Sequence, residues 1–189
     1  NLVLKPDIIH QLEEAGIAAI VYKSLFEEQI QLESWQLSEE MNEYDNRFAE
    51  MSRLFPNMEH AGPKEHLLNL KKLKEMVSVP VFGSLNAVYE PSWVEYAQEL
   101  EKTGVDGLEI NLYAVPGYFE VTGQYVEEKQ LEIVKAVKQA VKIPVSVKVS
   151  PFYTNTLNFI KQIDEAGADA YVLFNRFFQP EIDPEKEEF

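Results

Sequence analysis

The chain has no cysteine, few glycines and few positive charges. The absence of Cys from its 189 residues excludes disulfides, Cys-ligated metal or iron–sulfur sites and a Cys nucleophile or base. Only 8 residues are Gly, and they form no Gly-rich phosphate fingerprint. The 17 Lys and Arg are outnumbered by 32 Asp and Glu, and the net charge of −15 repels nucleic-acid phosphates and anionic lipid. We therefore expect neither nucleic acid nor a membrane as a partner.

Long hydrophobic runs are also missing. No apolar run approaches the roughly 18 residues that a membrane span needs, and no signal peptide is visible, so we expect a cytoplasmic protein. The three His (His10, His60 and His66) have no metal-ligand spacing, and we expect surface residues and no metal site. The acidic pair Glu27–Glu28 is expected to lie on a solvated face.

Two sequence patterns repeat along the chain, one marked by Gly and the other by Pro. Helical stretches end at Gly16, Gly104 and Gly167, and a short apolar run follows each, as expected where Gly supplies the left-handed conformation after a helix. Two further helices run into Pro80 and Pro144, which open Val-rich strands. Strands alternating with helices predict a parallel α/β fold. The predicted strands are 18–23, 80–86, 107–112, 144–149 and 170–175.

We interpret residues 1–189 as a single α/β domain. The acidic, helix-compatible stretch at about 27–63 is too long for an ordinary connection, and we expect it to be a helical excursion in a βα loop. Just after Pro91, Ser92 and Glu95 have the spacing of a capping box. A complete eight-stranded barrel takes about 250 residues, so five strands fit either an open parallel sheet or part of a barrel.

Each predicted strand ends in polar residues, and the carboxyl ends of parallel strands are where α/β folds place their sites. Lys148 is the main candidate, because an unpaired Lys inside Val145–Val149 would be expensive to bury. It suits an anionic or electron-rich ligand. The alternative is a structural ion pair with a carboxylate such as Glu109. Lys23, Ser24, Ser84 and Asn86 are further strand-end candidates.

Two asparagines stand at the ends of later strands. Asn111 and Asn175 can each donate and accept hydrogen bonds in a fixed plane, which suits a flat heterocycle with carbonyl and N–H groups. The alternative is that each bonds its own backbone in a loop.

Four segments, 20–30, 108–111, 144–151 and 172–177, together resemble the dihydroorotate dehydrogenase family, and more narrowly its bacterial dihydroorotate dehydrogenase-like branch. The resemblance implies an FMN-binding (β/α)8 TIM barrel, of which roughly strands two to six are present, with outer helices. Residues 1–189 would then be a single partial (β/α) barrel domain. It implies an oxidoreductase of pyrimidine metabolism that acts on CH–CH groups. By position it assigns flavin binding to Lys23, Ser24, Asn111, Lys148 and Asn175. The resemblance also assigns substrate binding to Lys23, Asn86, Asn111 and Asn175.

The chain departs from the family pattern in three places. After Asn111 the family has Ser-Cys-Pro-Asn, whereas this chain has residues 112–117 with neither Cys nor Ser, so the usual base is missing and no catalytic residue is assigned. The family's substrate loop is reduced to Met51–Asn57. The Gly-rich loops that hold the flavin phosphate do not occur, so we expect a fragment, a truncated product or an incomplete chain.

These departures keep three functions open. The first is hydride transfer between a small planar substrate and flavin, with strict dihydroorotate oxidation not expected. The second is a Schiff-base lyase that uses Lys148 as its nucleophile. The third is a non-catalytic barrel remnant that acts as a binding or scaffold module. Under each of them exposed sheet edges favour a homo-oligomer.

Overall fold

The computed structural model describes residues 6–27, 29–31, 63–88, 90–114 and 118–175. Helices and strands alternate along this part of the chain. The elements in chain order are α1 (Pro6–Glu14), β1 (Ile20–Phe26), α2 (Pro63–Met76), β2 (Val81–Asn86), α3 (Glu90–Lys102), β3 (Gly107–Leu112), α4 (Gly123–Ala140), β4 (Val145–Val149), α5 (Thr156–Glu165) and β5 (Ala170–Leu173). The five predicted strands are confirmed to within three residues at each end. Most of the predicted excursion at 27–63, and the reduced substrate loop Met51–Asn57, lie outside the described residues.

The five strands form one parallel sheet whose spatial order follows the chain, β1-β2-β3-β4-β5. A doubly wound sheet reverses its strand order at a switch point, whereas a (β/α)8 barrel adds each strand next to the previous one. The order therefore favours the barrel over the open doubly wound sheet. A bulge in β1 between Val21 and Ser24 sets two residues, Tyr22 and Lys23, against one residue of β2.

The same hydrogen bond and ion pair of an Asp occur in two of the turns between a helix and the next strand. The backbone is left-handed at Gly104 (φ 87°) and Gly167 (φ 100°), as it is at Gly16 (φ 84°), which confirms the predicted helix ends. Two residues after Gly167, the Asp169 carboxylate accepts a hydrogen bond from the Val145 backbone N–H (2.7 Å) and pairs with Lys138 of α4. Asp106 repeats this arrangement two βα units earlier in the chain, with the Val81 N–H and Lys74.

The sheet has one apolar and one polar face, because successive strand residues point to opposite sides. The apolar face packs on the helices, which supply buried residues such as Leu70, Leu73, Val134 and Val137. The sheet residues of the apolar face are Val81, Gly83, Leu85, Leu108, Ile110, Leu112, Val145, Val147 and Val149, and all of them are buried.

Candidate functional site

The opposite face of the sheet is polar, and most of the strand-end candidates lie on it. In barrels the inward face is normally filled by Val, Ile and Leu. Here the in-register rows place hydroxyl, carboxylate, amide and ammonium groups there. We call this surface the inner face. Its polar residues are Ser24, Ser84, Asn86, Glu109, Asn111, Ser146 and Lys148.

A hydrogen-bonded row crosses the inner face from β1 to β3. The hydroxyl oxygens of Ser24 and Ser84 lie 2.7 Å apart, and the Ser84 hydroxyl donates to Glu109 Oε1 at 3.1 Å. Ser84 is 1% exposed and Glu109 is 7% exposed. The middle of this row is therefore shielded from solvent, which strengthens its electrostatic interactions.

Lys148 extends the row to β4. Its Nζ lies 3.6 Å from Glu109 Oε1, with the Lys148 side chain 26% exposed and that of Glu109 9% exposed. The ion pair that the sequence offered as the structural alternative is therefore present. It does not exclude a ligand role, because the Lys148 side chain keeps part of its surface accessible.

The two predicted asparagines meet across the sheet. The Asn175 side-chain amide donates to Asn111 Oδ1 at 2.8 Å, and the Asn175 backbone N–H donates to the Val149 carbonyl at 2.8 Å. Asn111 is the register partner of Lys148. The structure thus brings Asn111, Lys148 and Asn175 together at the carboxyl ends of β3, β4 and β5.

The remaining predicted residues stand on the first two strands. Ser24 and Asn86 are half-buried, and Asn86 is the register partner of Phe26 at the end of β2. Lys23 is half-buried in the β1 bulge. Its positive charge contributes to lowering the pKa of His66, which lies on the helix side of the sheet. Lys23 is therefore a weaker candidate for a residue of the inner face than Lys148 is.

Glu27 is a residue that sequence reasoning misjudged. It is 4% exposed, so the expectation of a solvated face is wrong for it. Its carboxylate accepts hydrogen bonds from the Val88 backbone N–H (3.0 Å), the Ser92 hydroxyl (3.2 Å) and the Gln31 amide (2.7 Å). This ties the end of β1 to the loop after β2. The predicted capping box is also wrong, because α3 begins at Glu90 and Ser92 lies inside it.

His66 is a second misjudged residue. It is 3% exposed rather than on the surface, and its ring lies 5.0 Å from that of Tyr22 in an edge-on arrangement. Neither of its ring nitrogens has a hydrogen-bond partner among the residues that the structure describes. Burial, together with the charge of Lys23, lowers the pKa of His66 from 6.5 to about 4, so the ring is neutral at pH 7.

Two classes of site find no support within the described ranges. These residues contain no group of three or more His, Asp or Glu that could hold a metal ion. None of their helices is long and apolar enough to cross a membrane.

The chain is similar in sequence to dihydroorotate dehydrogenases. It is 31% identical over 119 residues to the catalytic subunit of dihydroorotate dehydrogenase B (NAD+) of Methanocaldococcus jannaschii, covering 60% of this chain and 38% of that protein. It is 30% identical over 168 residues to the same subunit of Thermoplasma volcanium, covering 87% and 52%. Dihydroorotate dehydrogenase A (fumarate) of Lactobacillus delbrueckii subsp. bulgaricus is 32% identical over 121 residues, covering 60% and 38%. No family model matches the chain.

Solved structures support the fold. YagE, an E. coli prophage protein of the dihydrodipicolinic acid synthase family crystallised with pyruvate, superposes with a TM-score of 0.54 at 18% identity. The alignment covers 88% of this chain and 45% of YagE. A dihydrodipicolinate synthase gives a TM-score of 0.50 at 16% identity, covering 86% and 46%. At these identities the likeness shows the fold alone.

Fold and inner face together define the class: an α/β protein of the TIM-barrel type, with a polar site at the carboxyl ends of its strands. Within that class, the resemblance to the dihydroorotate dehydrogenase family is confirmed by the curated relatives. The chain spans about two fifths to one half of the length of those relatives.

Proposed function

We propose that the protein is an FMN-dependent oxidoreductase of the dihydroorotate dehydrogenase-like type, transferring hydride between a small planar substrate and flavin. The observation that carries the proposal is the grouping of Lys148, Asn111 and Asn175 at the carboxyl ends of three adjacent strands, in a chain similar to dihydroorotate dehydrogenases. The activity of the whole protein is part of this proposal, as are a cytoplasmic location and a homo-oligomeric state.

The chemistry of the inner face fits a flavin. The pyrimidine edge of the flavin ring offers carbonyl oxygens and an N–H, which an ammonium and planar amides can meet. The proposed flavin ligands are Lys23, Ser24, Asn111, Lys148 and Asn175, and the proposed substrate ligands are Lys23, Asn86, Asn111 and Asn175. When bound, the flavin supplies the hydride acceptor, and the protein supplies orientation and electrostatics.

The protein's own residues would contribute charge and fixed geometry. A half-buried ammonium stabilises negative charge that develops beside it, because water screens it less than it would a surface charge. The hydrogen bond between Asn175 and Asn111 fixes the amide of Asn111. The ion pair between Lys148 and Glu109 limits the rotamers that the Lys148 side chain adopts.

Flavin binding is the first test. FMN would be titrated into the purified protein, with flavin fluorescence and the visible spectrum recorded for the wild type, Lys148→Ala and Lys142→Ala. Lys142 is an exposed lysine just before β4 and serves as a matched control. We expect saturable binding by the wild type and Lys142→Ala, and at least tenfold weaker binding by Lys148→Ala. Wild-type affinity in Lys148→Ala would remove Lys148 from the flavin site.

The lyase remains the second candidate, because Lys148 is half-buried within a strand. A nucleophilic lysine must be a neutral amine, whereas Lys148 lies within ion-pair distance of the Glu109 carboxylate, and this favours the flavin proposal. Borohydride treatment in the presence of pyruvate, followed by mass spectrometry, separates the two. A covalent adduct on Lys148 would support the lyase, while a protein with neither adduct nor bound flavin would support the scaffold.

A further inference from the structure

The row from Ser24 to Lys148 has a fixed hydrogen-bond direction. An ionised carboxylate only accepts hydrogen bonds, and a serine hydroxyl has a single proton to donate. The Ser84 hydroxyl donates that proton to Glu109. The 2.7 Å contact between Ser24 and Ser84 must therefore run from the Ser24 hydroxyl to the Ser84 oxygen. The Ser24 oxygen is left with lone pairs that can accept a hydrogen bond from a ligand.

The residues of this row differ in burial between its middle and its ends. Ser84 and Glu109 are buried, while Ser24 at one end and Lys148 at the other are each half-buried. Within the described part of the chain, hydrogen bonds lead from Ser24 to Glu109 through Ser84. A ligand that enters the inner face can meet the half-buried Ser24 and Lys148, whereas Glu109 is only 7% exposed.

We propose that Glu109 is the terminal proton acceptor of the site and takes a proton from a substrate at Ser24 through the Ser24 and Ser84 hydroxyls. The substrate's X–H bond breaks and its proton joins Ser24 Oγ. The original Ser24 proton passes to Ser84 Oγ, and the original Ser84 proton passes to Glu109. The electron pair of the broken bond stays on the substrate, and Glu109 becomes neutral.

This transfer also changes the charge at the other end of the row. The Lys148 ammonium is balanced by the Glu109 carboxylate at 3.6 Å. Once Glu109 is neutral, that positive charge is no longer compensated and can attract an electron-rich group bound beside it. Uptake of a proton from Ser24 is thereby coupled to anion stabilisation at Lys148. The row supplies the base that residues 112–117 lack.

The substrate class follows from the direction of the row. The group that meets Ser24 must carry a transferable proton, as does an acidic C–H next to a carbonyl or an N–H. An acceptor-only group, such as a bare carboxylate, would face the lone pairs of Ser24 and be repelled. Since this inference rests on the proposed function, dihydroorotate, which has an acidic C–H next to a carbonyl, is the probe.

The test measures proton abstraction without any redox step. Dihydroorotate would be incubated with the protein in D2O, and loss of its C5 proton signals by exchange would be followed by NMR. Binding is monitored in the same samples by saturation transfer. The variants are Glu109→Gln, Ser84→Ala, Ser24→Ala and Ser24→Thr. Ser146→Ala is the matched control, because Ser146 is the register partner of Glu109 on β4 but is not hydrogen-bonded into the row.

We expect wild-type protein and Ser146→Ala to exchange the C5 proton. Ser84→Ala and Ser24→Ala should lose about 100-fold in rate, the scale of general base catalysis, with Ser24→Thr restoring most of it. Should Glu109→Gln fail to fold, Ser84→Ala decides. Binding without exchange, or equal exchange in Ser84→Ala and wild type, would overturn this inference and leave the flavin proposal intact. Absence of both dihydroorotate and FMN binding would overturn both.

Discussion

Gly107 opens β3 at the base of the inner face, where the Phe82 ring lies against it. A Cβ added at Gly107 would lie 2.6 Å and 2.8 Å from two atoms of the Phe82 ring and 3.1 Å from the Pro144 carbonyl oxygen. Carbon atoms do not approach this closely, so Gly107→Ala must displace the ring of Phe82. Overpacking of this kind costs about 1–3 kcal/mol.

Gly123 provides the matched control, because its added Cβ would meet nothing within 4 Å at the start of α4. Gly123→Ala should be neutral, or stabilise the protein by up to about 1 kcal/mol through the unfolded chain. Urea unfolding should therefore show Gly107→Ala less stable than Gly123→Ala by roughly 1–4 kcal/mol. In a thermal melt this corresponds to a Tm difference of at least about 2 °C. Equal midpoints for the two variants would refute the packing of Phe82 over Gly107.

Two further predictions concern pH. Lys138 and the Val145 N–H lower the pKa of Asp169, so its stabilising effect is present above the unfolded-state pKa and is lost as the pH falls through the folded-state value. Asp169→Asn should cost less than about 1 kcal/mol at pH 7, because the carboxylate is 44% exposed, and the difference in urea midpoint from wild type should shrink as the pH falls below 3.8, the ordinary pKa of Asp. The pKa of His66 is lowered to about 4, so its burial favours unfolding as the pH falls from about 6.5 to about 4. His66→Phe should flatten the decline of Tm over that interval, and an unchanged slope would contradict its burial.

The strands could be predicted from sequence because the residues that indicate each strand lie within it or next to it in the chain. Apolar residues recur at alternate positions of β3 and β4, on the face that packs on the helices, and Gly104, Gly167, Pro80 and Pro144 mark where the chain turns. Lys148 was identifiable for a related reason, since a cation inside an apolar strand is exceptional. Its pairing with Glu109 was open from sequence, because register decides which carboxylate it meets.

Glu27 and His66 show where local signals fail. Burial of Glu27 depends on the Val88 N–H and Ser92, about 60 residues away in the chain. Its position directly after a strand was the available signal. His66 shares the helical spacing of Leu70 and Leu73, which placed it on the apolar face of α2. The expectation of a surface residue gave residue type more weight than that periodicity.

The central claim is that the inner face pairs a cation and a carboxylate around an electron-rich ring, and the midpoint potential of protein-bound FMN tests it most directly. Lys148→Met removes the positive charge and should lower the potential relative to wild type. Glu109→Gln removes the counter-charge of Lys148 and should raise it. Shifts in opposite directions are the predicted result. Shifts in the same direction, unchanged potentials or no FMN binding would contradict the account.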